Sequence, residues 1–150
     1  MKDIGGLYPA PVPAEIPSVR NAKLIATTGE KIAASFLQKN GYEILARNYR
    51  AGRRGEIDIV ARSPEEQIIF VEVKTRTQEA PGITYGIPEI GFEAVDLRKQ
   101  RKIKLVAQEF GAVESFSCRR WRYDVIVVLL PADDSRKSKE HVTHVENAFT

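Results

Sequence analysis

Residues 55–76 constrain this chain more tightly than any other stretch. Gly55-Glu56-Ile57-Asp58-Ile59-Val60-Ala61-Arg62 and Phe70-Val71-Glu72-Val73-Lys74-Thr75-Arg76 are each rich in Ile or Val, with polar residues at alternate positions. That period of two marks strands. Ser63-Pro64-Glu65-Glu66 between them is turn chemistry. A hairpin centred near Glu65 sets Asp58 opposite Glu72 and Glu56 opposite Lys74. Because side chains alternate, Glu56 and Asp58 share a face of their strand, as Glu72 and Lys74 do of theirs. Ile57, Ile59, Val71 and Val73 take the opposite face, which requires a core.

Three carboxylates and one ammonium on one face of an apolar hairpin are hard to explain by stability. Two carboxylates about 4 Å apart repel by roughly 4 kcal/mol at an effective dielectric of ~20, but only about 1 kcal/mol in water. If the face lies in a cleft, a bound cation is the natural compensation. Carboxylate oxygens beside a backbone carbonyl suit a hard ion such as Mg²⁺. The alternative is a solvated face with a cross-strand Glu56–Lys74 pair, worth about 0–1 kcal/mol. Spacing alone leaves both readings open.

Asp58 followed by Glu72-x-Lys74 on the next strand resembles the Asp…Glu-x-Lys signature of the restriction-endonuclease-like nucleases. The longer string, Gly55-Glu56-Ile57-Asp58 with Phe70 to Arg76, is similar to one branch of that superfamily. This is the YraN-type family of small bacterial proteins, described as Holliday-junction-resolvase-like. Ile57 stands where many restriction enzymes carry proline before the aspartate. The resemblance spans about residues 21–149. It implies a Mg²⁺- or Mn²⁺-dependent nuclease acting on DNA, branched or structured DNA included. Asp58 and Glu72 would be metal ligands, with the Val73 carbonyl a third. Lys74 would sit beside the nucleophilic water or the scissile phosphate, and Glu30 and Glu56 would orient waters or a second metal. A non-catalytic nucleic-acid-binding module or an assembly factor with the same fold is the rival expectation.

At 150 residues the chain has the length of one domain with a real core. A net charge of +3 gives mild support for a polyanionic partner. Cys118 is the single cysteine, which rules out an internal disulfide and any multi-cysteine zinc site. It also fits a reducing, cytoplasmic setting. No apolar run approaches the length of a membrane span. Residues 1–20 are proline-rich and aperiodic, without the pattern of a signal peptide, and are expected to be extended or disordered. The domain is expected over 21–150.

A first helix is expected from a cap at Thr27 or Thr28 to about Asn40, stopped by Gly41. Thr27-x-x-Glu30 has the form of a capping box, in which Glu30 would satisfy a backbone donor. The resemblance implies instead that Glu30 leans over the active-site strands, and the two roles are compatible. A strand over 42–49 leads into an arginine-rich turn holding Arg50, Arg53 and Arg54, which suits phosphate contacts. Arg76 ends the hairpin. Pro and Gly punctuate residues 77–94, expected to form a substrate-facing flap.

Asp96 is expected to cap a second helix, about Leu97 to Phe110, closed by Gly111. Arg98, Arg101, Lys102 and Lys104 fill its outward face and, with Arg53, Arg54 and Arg76, are the candidate nucleic-acid-binding residues. Lys99 falls on its apolar stripe. Lys99 either snorkels to the rim or points into the site; the resemblance implies a binding role. Asp124 to Leu130 reads as a strand covered on both faces, with Asp124 holding an arginine or shaping the site edge. His141 to Glu146 reads as a final edge strand whose two histidines are surface residues. The resulting order, α-β-β-β-α-β-β, specifies an α/β domain: a central mixed sheet flanked by helices, the restriction-endonuclease-like core. A junction resolvase would also require a two-fold homodimer.

Overall fold

A computed structural model describes residues 19–77, 95–114, 121–131 and 139–150. The flap expected over 77–94 lies outside them except for Thr77, as do residues 1–18 of the N-terminal segment. The elements follow the order read from the sequence: α1 (Val19–Lys39), β1 (Glu43–Arg50), β2 (Glu56–Arg62), β3 (Ile68–Thr77), α2 (Leu97–Val113), β4 (Trp121–Leu130) and β5 (His141–Phe149). One five-stranded sheet has the spatial order β1-β2-β3-β4-β5. β3 and β4 are parallel and the other neighbours antiparallel, so the sheet is mixed. The parallel step follows from chain order, because α2 lies between β3 and β4.

The β2–β3 turn sets the register that brings the acids together. Ser63 Oγ accepts the N–H groups of Glu65 and Gln67, each at 3.2 Å. The Ser63 N–H donates to the Gln67 carbonyl at 2.8 Å, and Glu66 takes a left-handed φ of 63°. This is a three-residue hairpin loop ending in a left-handed residue. It pairs Ile59 with Val71 and Val60 with Phe70, the register that the pattern predicts, and the pairing ends one residue short of Asp58 and Glu72.

Each face of the sheet carries a helix. Ile103, Val106, Ala107 and Phe110 of α2 pack on Val60, Ile68, Phe70, Val125 and Val127. Ala33, Ala34 and Leu37 of α1 pack on Ile59, Ala61, Ile69, Val71, Ile126 and Val128. Both faces of the hairpin are therefore core, and only its open end is polar. Ile59, Val71 and Val73 pack on the α1 side as expected, but Ile57 joins the α2 side. Continuing the register would set Val73 against Ile57; its N–H goes instead to Asp58 Oδ2 at 2.8 Å. The regular pleat is interrupted at Asp58, and the alternation fails there.

Both helices depart from their expected ends. α1 begins at Val19, so Thr27 and Thr28 lie inside it and the Thr27–Glu30 capping box does not form. The apolar period continues upstream through Ile25 and Ala26, and tertiary packing overrides the weak helix propensity of two threonines and Gly29. Its C-terminus is as expected. Gly41 has φ 83°, the Tyr42 N–H reaches the Leu37 carbonyl at 3.0 Å and the Gly41 N–H the Gln38 carbonyl at 3.1 Å, a Schellman motif. Asp96 does cap α2, accepting the Lys99 N–H at 2.7 Å. Gly111 does not end that helix. A Cβ there would lie 2.4 Å from the Trp121 ring, so glycine serves close packing and the helix continues to Val113.

Candidate functional site

A cavity of about 570 Å³ opens where β2 and β3 part, between the two helices. Asp58 and Glu56 reach it from β2, Glu72 and Lys74 from β3, Glu30 from α1 and Lys99 from α2. Six residues scattered over seventy positions thus line one depression. The extra N-terminal turns of α1 contribute Ala22, Ile25 and Ala26 as its apolar wall. These three were not among the expected site residues, because the helix was expected to start later. Arg76 also lines the cavity, exposed, with Nη1 donating to the Thr75 carbonyl at 3.2 Å.

Glu72 is the most buried of the cavity's acids, its side chain only 5% exposed. Its Oε1 lies 2.9 Å from Lys74 Nζ and its Oε2 lies 3.1 Å from Lys99 Nζ. The Lys99 contact is ionic rather than a directed bond, since Oε2 is a buried oxygen without a hydrogen-bond partner among the described residues. Lys99 therefore points into the site. Asp96 fixes the first turn of α2 by capping the Lys99 N–H, which holds the lysine's stem where its ammonium meets Glu72.

Burial pushes the Asp58 carboxyl up to about 7. Glu72 and, further off, Glu30 push in the same direction, while the Val73 N–H and Lys99 oppose them. Glu30 is thus an electrostatic neighbour of Asp58. Glu56 has a partner other than Lys74. It pairs across β1–β2 with Arg50 at 2.9 Å, because that register sets the two opposite each other while Lys74 turns to Glu72. Among the described residues, no three His, Cys, Asp or Glu side chains gather closely enough to hold a metal ion.

The basic residues divide. Arg53 and Lys102 line a neighbouring cavity of about 410 Å³ with Arg50, Glu56 and Lys99. Arg54 is turned to α2, where Nη1 meets Glu109 Oε2 at 3.0 Å. Lys104, expected on the outward face, is half-buried and donates to the Thr150 carbonyl, because the end of β5 packs beside α2. Arg98 and Arg101 are exposed on α2 and line neither cavity.

A second buried polar cluster lies away from the cavity, on the α1 side near the C-terminus of that helix. Asp124 is fully buried and accepts from Arg122 through both oxygens at 2.8 Å. It also meets His144 Nε2 at 2.8 Å and the Asn147 N–H at 2.9 Å. Arg122 Nη1 continues to Glu146 at 3.1 Å and Nη2 to the Tyr42 hydroxyl at 3.3 Å. Burial alone would raise the Asp124 pKa, but His144, Arg122 and the Asn147 N–H hold it below the ordinary value. Asp124 does hold an arginine. His144, expected at the surface, is only 10% exposed and edge-on to Phe36 and Tyr42. Its burial follows from the β4–β5 register, which sets His144 beside Ile126.

A five-stranded mixed sheet with a helix on each face, and a carboxylate–lysine cavity where two strands part, defines an α/β protein of a specific architecture. The chain belongs to the uncharacterised protein family UPF0102, whose model matches residues 29–128. This is the YraN-type family that the hairpin residues resemble. The match includes Glu30, Glu56, Asp58, Glu72, Lys74 and Lys99. The chain is 43% identical over 129 residues to a UPF0102 protein of Caldanaerobacter subterraneus subsp. tengcongensis, covering 86% of this chain and 97% of that one. It is 41% identical over 145 residues to one of Pelobacter propionicus, covering 96% and 93%. Among solved structures, Pyrococcus furiosus SfsA in complex with Ca²⁺ matches at a TM-score of 0.30 and 16% identity, over 84% of this chain and 64% of that one. That likeness is too slight to bear on the fold or the site. No helix among the described residues is long and apolar enough to cross a membrane.

Proposed function

We propose that the protein is a Mg²⁺- or Mn²⁺-dependent nuclease that hydrolyses phosphodiester bonds in DNA, structured or branched DNA included. The observation that carries this reading is the Asp58–Glu72 pair. Two carboxylates from adjacent strands meet in one cavity, one with its pKa pushed up to about 7 and the other with a buried oxygen lacking a hydrogen bond. Such a pair is costly without a cation. The donor set fits Mg²⁺, which is bound by one or two carboxylates and keeps several waters, and so does not need three protein acids. Asp58 and Glu72 would hold the ion, with the Val73 carbonyl as a third oxygen. When bound, the metal supplies an activated water and charge stabilisation at the phosphate.

The chain's own side chains account for the remainder. Lys74 stands over Glu72 and stabilises charge developing on the scissile phosphate. Lys99 does the same from the α2 side. Glu30 reaches the cavity from α1 and orients a water there, and Glu56 forms its rim. Ala22, Ile25 and Ala26 add an apolar edge to the cavity on the α1 side.

One observation favours a second reading, a nucleic-acid-binding module without turnover. Each Glu72 oxygen already faces an ammonium, so the site partly neutralises itself. A cleavage screen in Mg²⁺ and Mn²⁺ over single-stranded, duplex, flap and four-way substrates separates the two. Products from one of them, abolished in Asp58→Ala, support the nuclease. Binding equal in wild type and Asp58→Ala, with no products under either metal, supports the binding module. If four-way junctions are the substrate, a two-fold dimer is expected by sedimentation, since one site cannot cut both strands symmetrically.

A further inference from the structure

The smaller cavity is a built feature rather than a solvated run of charge. Ala51, buried at 2%, anchors the β1–β2 turn, which is closed by the Ala51 N–H to the Gly55 carbonyl at 3.2 Å and the Arg54 N–H to the Ala51 carbonyl at 2.9 Å. Gly55 takes φ 141°, a conformation that favours glycine. A Cβ there would make ordinary contacts, 3.5 Å to Lys102 Cβ and 3.6 Å to Val106, so the turn lies against α2. Arg54 ties the turn down by its ion pair with Glu109. The result sets Arg53, from the turn, and Lys102, from the helix, on one cavity of about 410 Å³.

The charges in that cavity are unevenly used. Arg50 is paired with Glu56 and Lys99 with Glu72. Arg53 and Lys102 have no acid partner among the described residues. The two cavities share Glu56 and Lys99 as a common wall, so an extended ligand in one passes directly into the other. A polyanion entering the carboxylate cavity is repelled by Asp58 and Glu72 until its charge is met elsewhere. A neighbouring pair of unengaged cations meets it.

We propose that the Arg53–Lys102 cavity is a subsite for a single backbone phosphate of a nucleic acid, flanking the linkage held at Asp58 and Glu72. Lys99 lies between the two positions and contacts either. The subsite rests on the nucleic-acid reading of the larger cavity and assigns it a direction of entry. Arg54 and Lys104, cations near in sequence, do not belong to it, because Glu109 and the Thr150 carbonyl already engage them.

The test is a methylphosphonate scan, in which one linkage at a time of a labelled oligonucleotide is made uncharged and binding is read by fluorescence anisotropy in Ca²⁺. One linkage to one side of the central position should weaken wild-type binding by roughly three- to tenfold. The same replacement should cost nothing further in Arg53→Ala/Lys102→Ala, whose salt dependence should be flatter by up to about 2 units of log–log slope on duplex DNA. Both side chains are exposed, so the double variant keeps its core. A double variant with wild-type affinity and slope overturns the subsite. So does a scan in which no linkage loses its effect in the variant. A double variant that loses binding of inorganic phosphate while keeping the wild-type oligonucleotide affinity and scan assigns the cavity to a free anion and also overturns it. Failure of the nuclease reading looks different: the scan holds, and Mg²⁺ yields no products.

Discussion

Asp58 accepts the Val73 N–H at 2.8 Å, a bond that favours its ionised form, yet burial and Glu72 outweigh it and raise its pKa from 3.8 to about 7. A carboxyl whose folded pKa lies above its unfolded one gives stability that is complete below the unfolded value and is lost as pH rises through the folded value. At about 1.4 kcal/mol per unit, the ionised form costs the fold on the order of 4 kcal/mol. The melting temperature of the metal-free protein should therefore fall between about pH 4 and pH 7, and Asp58→Asn should remove most of that fall. A wild-type profile parallel to the Asn variant's would show that the Asp58 charge is already accommodated. The acids themselves were legible in the sequence, because the turn at Ser63 and the register up to Ile59–Val71 bring Asp58 and Glu72 to one cavity, although the alternation breaks at Asp58. Lys99 was only half legible. Its place on the apolar stripe was plain, but its direction depended on how close α2 lies to β3. His144 was not legible at all, since nothing local to it signals Asp124 on the neighbouring strand.

At the scale of the elements, glycines and buried polar groups decide how closely the layers meet. A Cβ on Gly29 would lie 1.8 Å from Thr75 Oγ1, so α1 touches β3 directly beside the cavity. Gly29→Ala should destabilise by about 1–3 kcal/mol, the range of overpacking, and shift Glu30 away from Asp58. Thr75→Ala in the same chain should recover part of the loss, since it removes two of the three colliding atoms. Additive losses in a double-mutant cycle would refute the contact. The upstream turns of α1 escaped the sequence reading for the same reason that Gly29 is informative. A glycine after two threonines looks like a helix boundary until the strand it packs against is known. Asp124 supplies the counterpart on β4. Its removal leaves Arg122 buried and charged with only Glu146 and the Tyr42 hydroxyl for support, so Asp124→Ala should cost about 3–5 kcal/mol. Because its pKa is depressed, this contribution is present above the ordinary carboxylate value and is lost as pH falls through the lowered one. Wild type should accordingly lose stability in acid more steeply than Asp124→Asn.

Across the whole molecule, the cavity exists because the sheet is regular at one end of the hairpin and open at the other. From Ser63 to Ile59 the β2 strand is paired to β3. Beyond Asp58 the strands part, and α1 and α2 converge on the gap with Glu30 and Lys99. Asp58 and Glu72 thus belong to different strands joined at this end by one side-chain hydrogen bond, Asp58 to the Val73 N–H. A divalent cation held by both would close the gap and bind the folded state alone. At a hundredfold excess over its Kd it should add about 2.7 kcal/mol, which for a domain of this size is a rise of about 10 °C in melting temperature. Glu72→Gln should abolish the rise under Mg²⁺ and Mn²⁺, while NaCl of equal ionic strength should not reproduce it in wild type. Hydrogen exchange gives the local readout. The Val73 amide should exchange faster in Asp58→Ala, which removes its acceptor, and slower in wild type when metal is added. If metal slows exchange throughout the β4–β5 pair and leaves Val73 unchanged, the ion binds elsewhere and the Asp58–Glu72 pair is not its site.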